Sequence, residues 1–291
     1  MPLASDNLRG IVLMLLAMAG FAFGDVGIKW LSGAVPPGQI MGTMGLAGTV
    51  VFAIWTRVRG LPLLPRDIWH PAVALRFLAE IVAGGGMVLA LTQNPLSLVT
   101  AILQAAPLVV TMGAARFFGE KVGIRRWSAI LAGLLGVLII LRPGLSGFDL
   151  QALWILVAML GLAARDLATR ATPRALNNLQ LATVGFFALV PTGALLTLFG
   201  ATPIWLTPGN WAVLTFTILT TIGGYYAITA AMRVGEIGAV TPFRYSRLIF
   251  GLVLGMVVFA ERPDTLAYAG AALILSAGLY SAWRERLHSR R

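Results

Sequence analysis

The chain has 291 residues, 58% apolar and 11% charged, with a mean hydropathy of +0.85 and a formal net charge of +11. Soluble domains carry about 25% charged residues, so this composition excludes a surface built for water and points to lipid. The absence of cysteine excludes disulfide and thiolate chemistry.

A membrane-spanning helix needs about 20 mostly apolar residues. Windows of that size predict ten spans joined by short connections: 8–31, 38–56, 71–91, 96–118, 127–141, 150–170, 179–199, 210–232, 238–260 and 265–283. The first is too long for a signal-peptide core, has no small-residue cleavage site after it, and carries Asp25 and Lys29 at its far end. The fold class expected is therefore an all-α membrane protein of ten transmembrane helices.

Basic residues alternate along these connections. With the N-terminus inside, and residues near a span's end counted with the connection they adjoin, sixteen of the 22 Lys and Arg belong to inner segments. Three belong to outer ones (Lys29, Arg142, Arg262) and three fall well within spans (Arg76, Arg244, Arg247). The positive-inside rule then places both termini in the cytoplasm. Short basic runs between apolar stretches serve topology, so the net charge is no sign of a nucleic-acid partner. The two histidines, His70 and His288, sit at helix ends or tails, which argues against a metal site.

Sliding the chain against itself by 141 residues aligns Asp25 with Asp166, Lys29 with Arg170, and Ala17-Met18 with Ala158-Met159. It also aligns Gly20 with Gly161, Gln39 with Gln180, Val99-Thr100 with Val240-Thr241, and Phe118-x-Glu120 with Phe259-x-Glu261. A single ungapped offset marks an internal repeat, dividing the chain into residues 1–141 and 142–291 that together form one transport domain. Each half holds five helices, an odd number, so the second lies inverted relative to the first. Inverted repeats are typical of secondary transporters, which bind substrate near the midplane between the halves.

Residues 98–141 resemble the EamA repeat of the drug/metabolite transporter superfamily. Residues 239–280, with FAERP at 259–263 and GAALILSAG at 270–278, are similar to its second copy. One departure is that Pro107 aligns with Leu248, while Pro242 lies earlier in its helix. The resemblance implies alternating access and a central cavity lined by spans 1, 3, 4, 6, 8 and 9. Length and layout are also similar to the bacterial aromatic amino-acid exporters of that superfamily. That closer likeness implies export of amino acids with apolar or aromatic side chains through the inner membrane.

Ionisable groups inside spans cost about 2.5–3.5 kcal/mol each on insertion scales and are functional candidates by default. Glu80 lies mid-span with Arg76 one turn earlier; it is either a local ion pair or a protonatable gate or partner for a substrate amine. Arg244 and Arg247 share one face of the ninth span, beside Tyr245. A guanidinium facing a cavity suits a substrate carboxylate; the alternative is pairing with Glu80 or backbone carbonyls. Gln104, Thr221 and Tyr225 complete the candidate binding residues. Asp25 with Lys29, and Asp166 with Arg170, read as i,i+4 interfacial ion pairs or as alternating gates. Gly84, Gly85, Pro107, Gly223, Gly224 and Pro242 are hinge candidates or close-packing sites.

The partners expected are a small-molecule substrate and the lipid bilayer, with no cofactor, and the sequence is compatible with a monomer. A channel would call for a stacked acidic ring or filter loop. An intramembrane enzyme would call for a nucleophile–base or paired-carboxylate constellation. Neither pattern stands in the sequence, and a purely structural protein would leave the mid-span charges idle.

Overall fold

Long apolar runs with few breakers fold as helices because a bilayer offers the backbone no other hydrogen-bond partners. The computed structural model describes residues 4–120, 122–142, 149–234 and 237–289. The helices are α1 (Ala4–Leu31), α2 (Pro37–Val58), α3 (Pro71–Gln93), α4 (Leu96–Leu103), α5 (Ala106–Phe117) and α6 (Ile124–Leu141), followed by α7 (Leu153–Arg170), α8 (Asn178–Leu198), α9 (Pro208–Val234), α10 (Ile237–Val240), α11 (Ser246–Phe259) and α12 (Thr265–Ser289). Ten stretches are long and apolar enough to span a membrane, and the described residues contain no strand. Lys121, Arg290 and Arg291, counted above among the inner basic residues, lie outside the described residues.

Two of the ten spans are broken. The fourth stops at Leu103 and restarts at Ala106, where Pro107 supplies no N–H but sits in a first helical turn that needs none. The ninth runs from a short turn of α10 through a 3-10 segment, Thr241–Tyr245, into α11. The prolines stand at non-equivalent places, yet α5 and α11 begin within one residue of equivalent positions in the repeat.

The chain divides into two compact units. One comprises residues 1–26, 94–152 and 219–291; in it α6 packs along α12 and α4 along α11. Leu108, Ile130 and Ala277 form part of its core, as do Met14, Ala17, Met18, Ala227 and Val240. The other comprises residues 27–93 and 153–218, where α2 packs along α8 and α3 along α7.

Close backbone approach governs these pairs. On α3 and α7, a Cβ at Gly86 would stand 2.6 Å from the Ala158 nitrogen, and one at Gly161 would stand 2.7 Å from the Ala83 nitrogen. Small residues permit such approach, and dispersion along the seam holds membrane helices together. Apolar side chains that miss the seam face outward: on α6, Leu131, Leu135 and Leu138 are exposed while Ile130 and Val137 are buried. That outward stripe is a liability in water and the right surface for lipid; the chain is a multi-pass membrane protein.

The repeat is visible in contacts as well as in sequence. Gln39 exchanges two hydrogen bonds with the Ile204 backbone, at 2.8 and 3.0 Å, in the connection after α8. Its counterpart Gln180 donates to the Pro62 carbonyl at 2.7 Å, in the connection after α2. Gly119 and Ala260, also equivalent, are both left-handed, with φ of 67° and 51°, and each immediately precedes the glutamate of its copy.

Candidate functional site

The residues singled out above divide between the two units.

In the first unit, Asp25 lies near the end of α1 and is only 4% exposed. A carboxylate so placed requires a cation, and Arg247, one residue into α11, provides it. Its Nη2 donates to both Asp25 oxygens at 2.9 and 2.7 Å, and its Nε donates at 3.2 Å. The guanidinium also lies over the Phe21 ring, 5.4 Å from the centroid, a cation–π contact. This corrects two expectations. The partner of Asp25 is Arg247, 222 residues away, rather than Lys29 one turn on, whose Nζ donates to the Leu91 carbonyl. Arg247 therefore has an intramolecular carboxylate as its partner, and neither Glu80 nor a backbone carbonyl fills that role.

The helix breaks meet in this unit. Gln104, at the end of α4, donates from Nε2 to the Arg244 carbonyl at 3.2 Å, within the 3-10 segment of the other break. Tyr245 is buried, its ring packed on the bare face of Gly278. Glu261, from the motif of the second copy, accepts from the Leu96 and Ser97 N–H groups at 2.6 and 2.9 Å. It satisfies the first free donors of α4 and places negative charge at that helix start. Thr221 packs against Gly24, where a Cβ would stand 2.6 Å from its hydroxyl. Tyr225 is half-buried, and its carbonyl accepts from Thr229. Gly224 is a close-packing glycine against the Ala17 carbonyl and Phe21, whereas a Cβ at Gly223 would meet nothing within 4 Å.

In the second unit four charges and a hydroxyl converge between α3 and α7. Arg76 and Glu80 lie one turn apart on α3, with Nη2 and Oε2 3.8 Å apart. Arg165 reaches from α7 to Glu80 at 3.4 Å and donates to the neighbouring Asp166 at 2.8 and 3.0 Å. Arg76 Nε donates to Thr169 Oγ1 at 3.0 Å, and its Nη1 is buried without a hydrogen-bond partner. Gly185 of α8 forms the wall beside Arg76 and Glu80. Arg170 is exposed at the end of α7, Gly84 lies against Leu189, and Gly85 meets only the Thr192 methyl, at ordinary contact distance.

Arg165, Thr169 and Gly185 are not among the candidates named from the sequence, where Arg165 is one of the sixteen basic residues counted with inner segments. The repeat itself holds the signal that finds them. The 141-residue offset pairs Arg76, Glu80 and Arg165 with Thr217, Thr221 and Gly24. Charge on one side and none on the other marks these positions.

Paired and networked charges inside spans, joined to a duplicated helical scaffold, suit a carrier. The family model of the EamA-like transporters matches twice, over residues 8–142 and 150–282. The chain belongs to the EamA-like transporter family. The S-adenosylmethionine uptake transporter of Rickettsia prowazekii is 22% identical over 282 residues, covering 96% of this chain and 94% of that one. The riboflavin transporter of Brucella anthropi is 27% identical over 290 residues, covering 92% and 96%. The pseudopaline exporter of Pseudomonas aeruginosa is 22% identical over 269 residues, covering 92% and 94%. These EamA-like relatives are named for membrane transport of different solutes and in both directions.

Proposed function

We propose that this chain is a secondary carrier moving a small organic metabolite across a bacterial plasma membrane by alternating access of two inverted five-helix halves. The observation that carries the reading is the duplicated EamA-like scaffold with charged side chains inside its spans, where they are costly unless used. Both termini face the cytoplasm in this reading, as the distribution of Lys and Arg directs.

The solute is a metabolite with a charged head and an apolar or ring-bearing body; outward transport of aromatic or other apolar amino acids is the specific case we put forward. Proteoliposomes loaded with labelled tryptophan, riboflavin or S-adenosylmethionine test it. Saturable flux of at least one solute, absent from empty vesicles, is the expected result. Flux that rises linearly with concentration would indicate a pore instead, and no flux for any solute would remove the carrier reading. Because the chain has no cysteine, single cysteines at positions 33 and 60 report sidedness. Labelling from outside at position 33 and not at position 60 is the outcome the topology requires.

A further inference from the structure

The ion pair of the first unit and the charge network of the second differ in kind. Asp25 and Arg247 are locked by three contacts, the shortest 2.7 Å, within the range of strong charge-assisted bonds. Glu80 has no such lock. One of its oxygens accepts a single long bond from Arg165 at 3.4 Å, and the other lies 3.8 Å from Arg76. Arg76 in turn is 5% exposed and holds a buried Nη1 with no hydrogen-bond partner. Burying a guanidinium donor without a partner is unfavourable, so the arrangement is underfilled.

Two further observations separate a binding role from a structural one. First, Thr169 accepts from Arg76 Nε at 3.0 Å and fixes the guanidinium. Beside it, Gly185 leaves bare backbone, with a Cβ there standing 3.3–3.4 Å from Nη1, Nη2 and the Glu80 carboxylate. Second, the equivalent helix pair α1 and α9 makes the same approach without charge. Gly20 packs against Gly224 as Gly161 packs against Ala83, and Gly24 meets Thr221 where Arg165 meets Glu80. The helix seam forms with neutral residues at these positions, so the charges at Arg76, Glu80 and Arg165 are not what the seam needs.

We propose that Arg76 and Arg165 form the binding site for the carboxylate of a zwitterionic solute, with Glu80 as its occupant when no solute is bound. Resting on the carrier reading above, the inference names the solute class as an α-amino acid or a metabolite bearing the same head group. The two arginines, Glu80 and Asp166 carry no net charge together. A carboxylate that displaces Glu80 must therefore bring a cation for the released side chain, and an α-ammonium group stands at the right distance from its own carboxylate to supply it. A solute anion alone would leave Glu80 uncompensated within the span.

Binding to the purified full-length protein in nanodiscs, read as the thermal midpoint against ligand concentration, tests this with three probes sharing one ring. They are L-phenylalanine, 3-phenylpropionate without the amine, and phenethylamine without the carboxylate. L-Phenylalanine is expected to bind at least about tenfold more tightly than either truncated probe, the effect of one lost charged contact. Arg76→Gln and Arg165→Gln should each weaken L-phenylalanine about tenfold or more. Glu80→Gln should do the reverse for 3-phenylpropionate, tightening it by vacating the arginines, while it weakens phenethylamine. That opposite movement separates the proposal from simple destabilisation, and it remains readable if Arg76→Gln does not fold. Equal binding of the three probes, unchanged L-phenylalanine binding in Arg165→Gln, or no tightening of 3-phenylpropionate in Glu80→Gln would overturn it. No response to any probe would also overturn the site, while saturable riboflavin flux in vesicles would leave the carrier reading standing.

Discussion

Replacing Asp25 by Ala should destabilise the protein by about 3 kcal/mol, and the size follows from the geometry. The substitution removes the acceptor of three Arg247 contacts at 3.2, 2.9 and 2.7 Å. It leaves a guanidinium whose side chain is 20% exposed and whose remaining recorded contact is the face of Phe21. Breaking one side of a buried pair costs about 3–5 kcal/mol, mostly from the charge left behind. The retained cation–π contact offsets about 0.5–1 kcal/mol and puts the expectation at the lower end. Removing the orphan as well, in Asp25→Ala with Arg247→Leu, should return stability to within about 1 kcal/mol of the parent, because the desolvated cation is gone. The assay is reversible denaturant unfolding of the full chain in mixed micelles, analysed as a double-mutant cycle. A single variant costing less than about 1 kcal/mol, or a double variant as unstable as the two singles summed, would refute the reasoning.

Other substitutions follow from the same structure. Gly161→Ala should cost about 2 kcal/mol or more by overpacking the α3–α7 seam against backbone, whereas Gly223→Ala, which meets nothing within 4 Å, should gain up to about 1 kcal/mol of helix propensity; paired melts decide both. If Gly223 is also a hinge, its alanine variant slows flux while the melt rises. Ala260→Gly should stabilise by about 1 kcal/mol, since an alanine there holds φ of 51°, and a variant less stable than the parent would contradict that. On the connection before α12, the Arg142 guanidinium, aided by the Ala267 N–H, holds the Asp264 carboxyl below the usual aspartate range. A lowered carboxyl contributes stability above its ordinary pKa and loses it as pH falls through the lowered value. The deficit of Asp264→Asn should accordingly be small at pH 7, the pair being exposed, begin to shrink as pH falls below about 4, and vanish only below the lowered value.

The ten spans were legible because hydropathy over about 20 residues reports the one thing a bilayer demands, and most observed ends fall within a few residues of those read from sequence. The two breaks were only half legible. Pro107 and Pro242 marked them, but a hydropathy window cannot register that residues 241–245 wind as 3-10, because that depends on which carbonyls find partners. Glu261 was visible as a motif and opaque as a part: its bonds to Leu96 and Ser97 join positions 165 and 164 residues apart. Local spacing misassigned the partner of Asp25 for the same reason. The network around Arg76 is legible in the mismatches of the repeat, where Arg76, Glu80 and Arg165 stand opposite Thr217, Thr221 and Gly24.

The pairing of Asp25 with a residue 222 positions later bears on how the protein is made. The first helix emerges from the ribosome carrying a carboxylate whose counter-charge has not yet been synthesised. Until α11 arrives, that helix must wait at the translocon or in the bilayer with Asp25 protonated, hydrated or facing the insertion machinery. This buried ion pair is thus among the last contacts available to the chain, and its closure marks the point at which the first helix and α11 have come together.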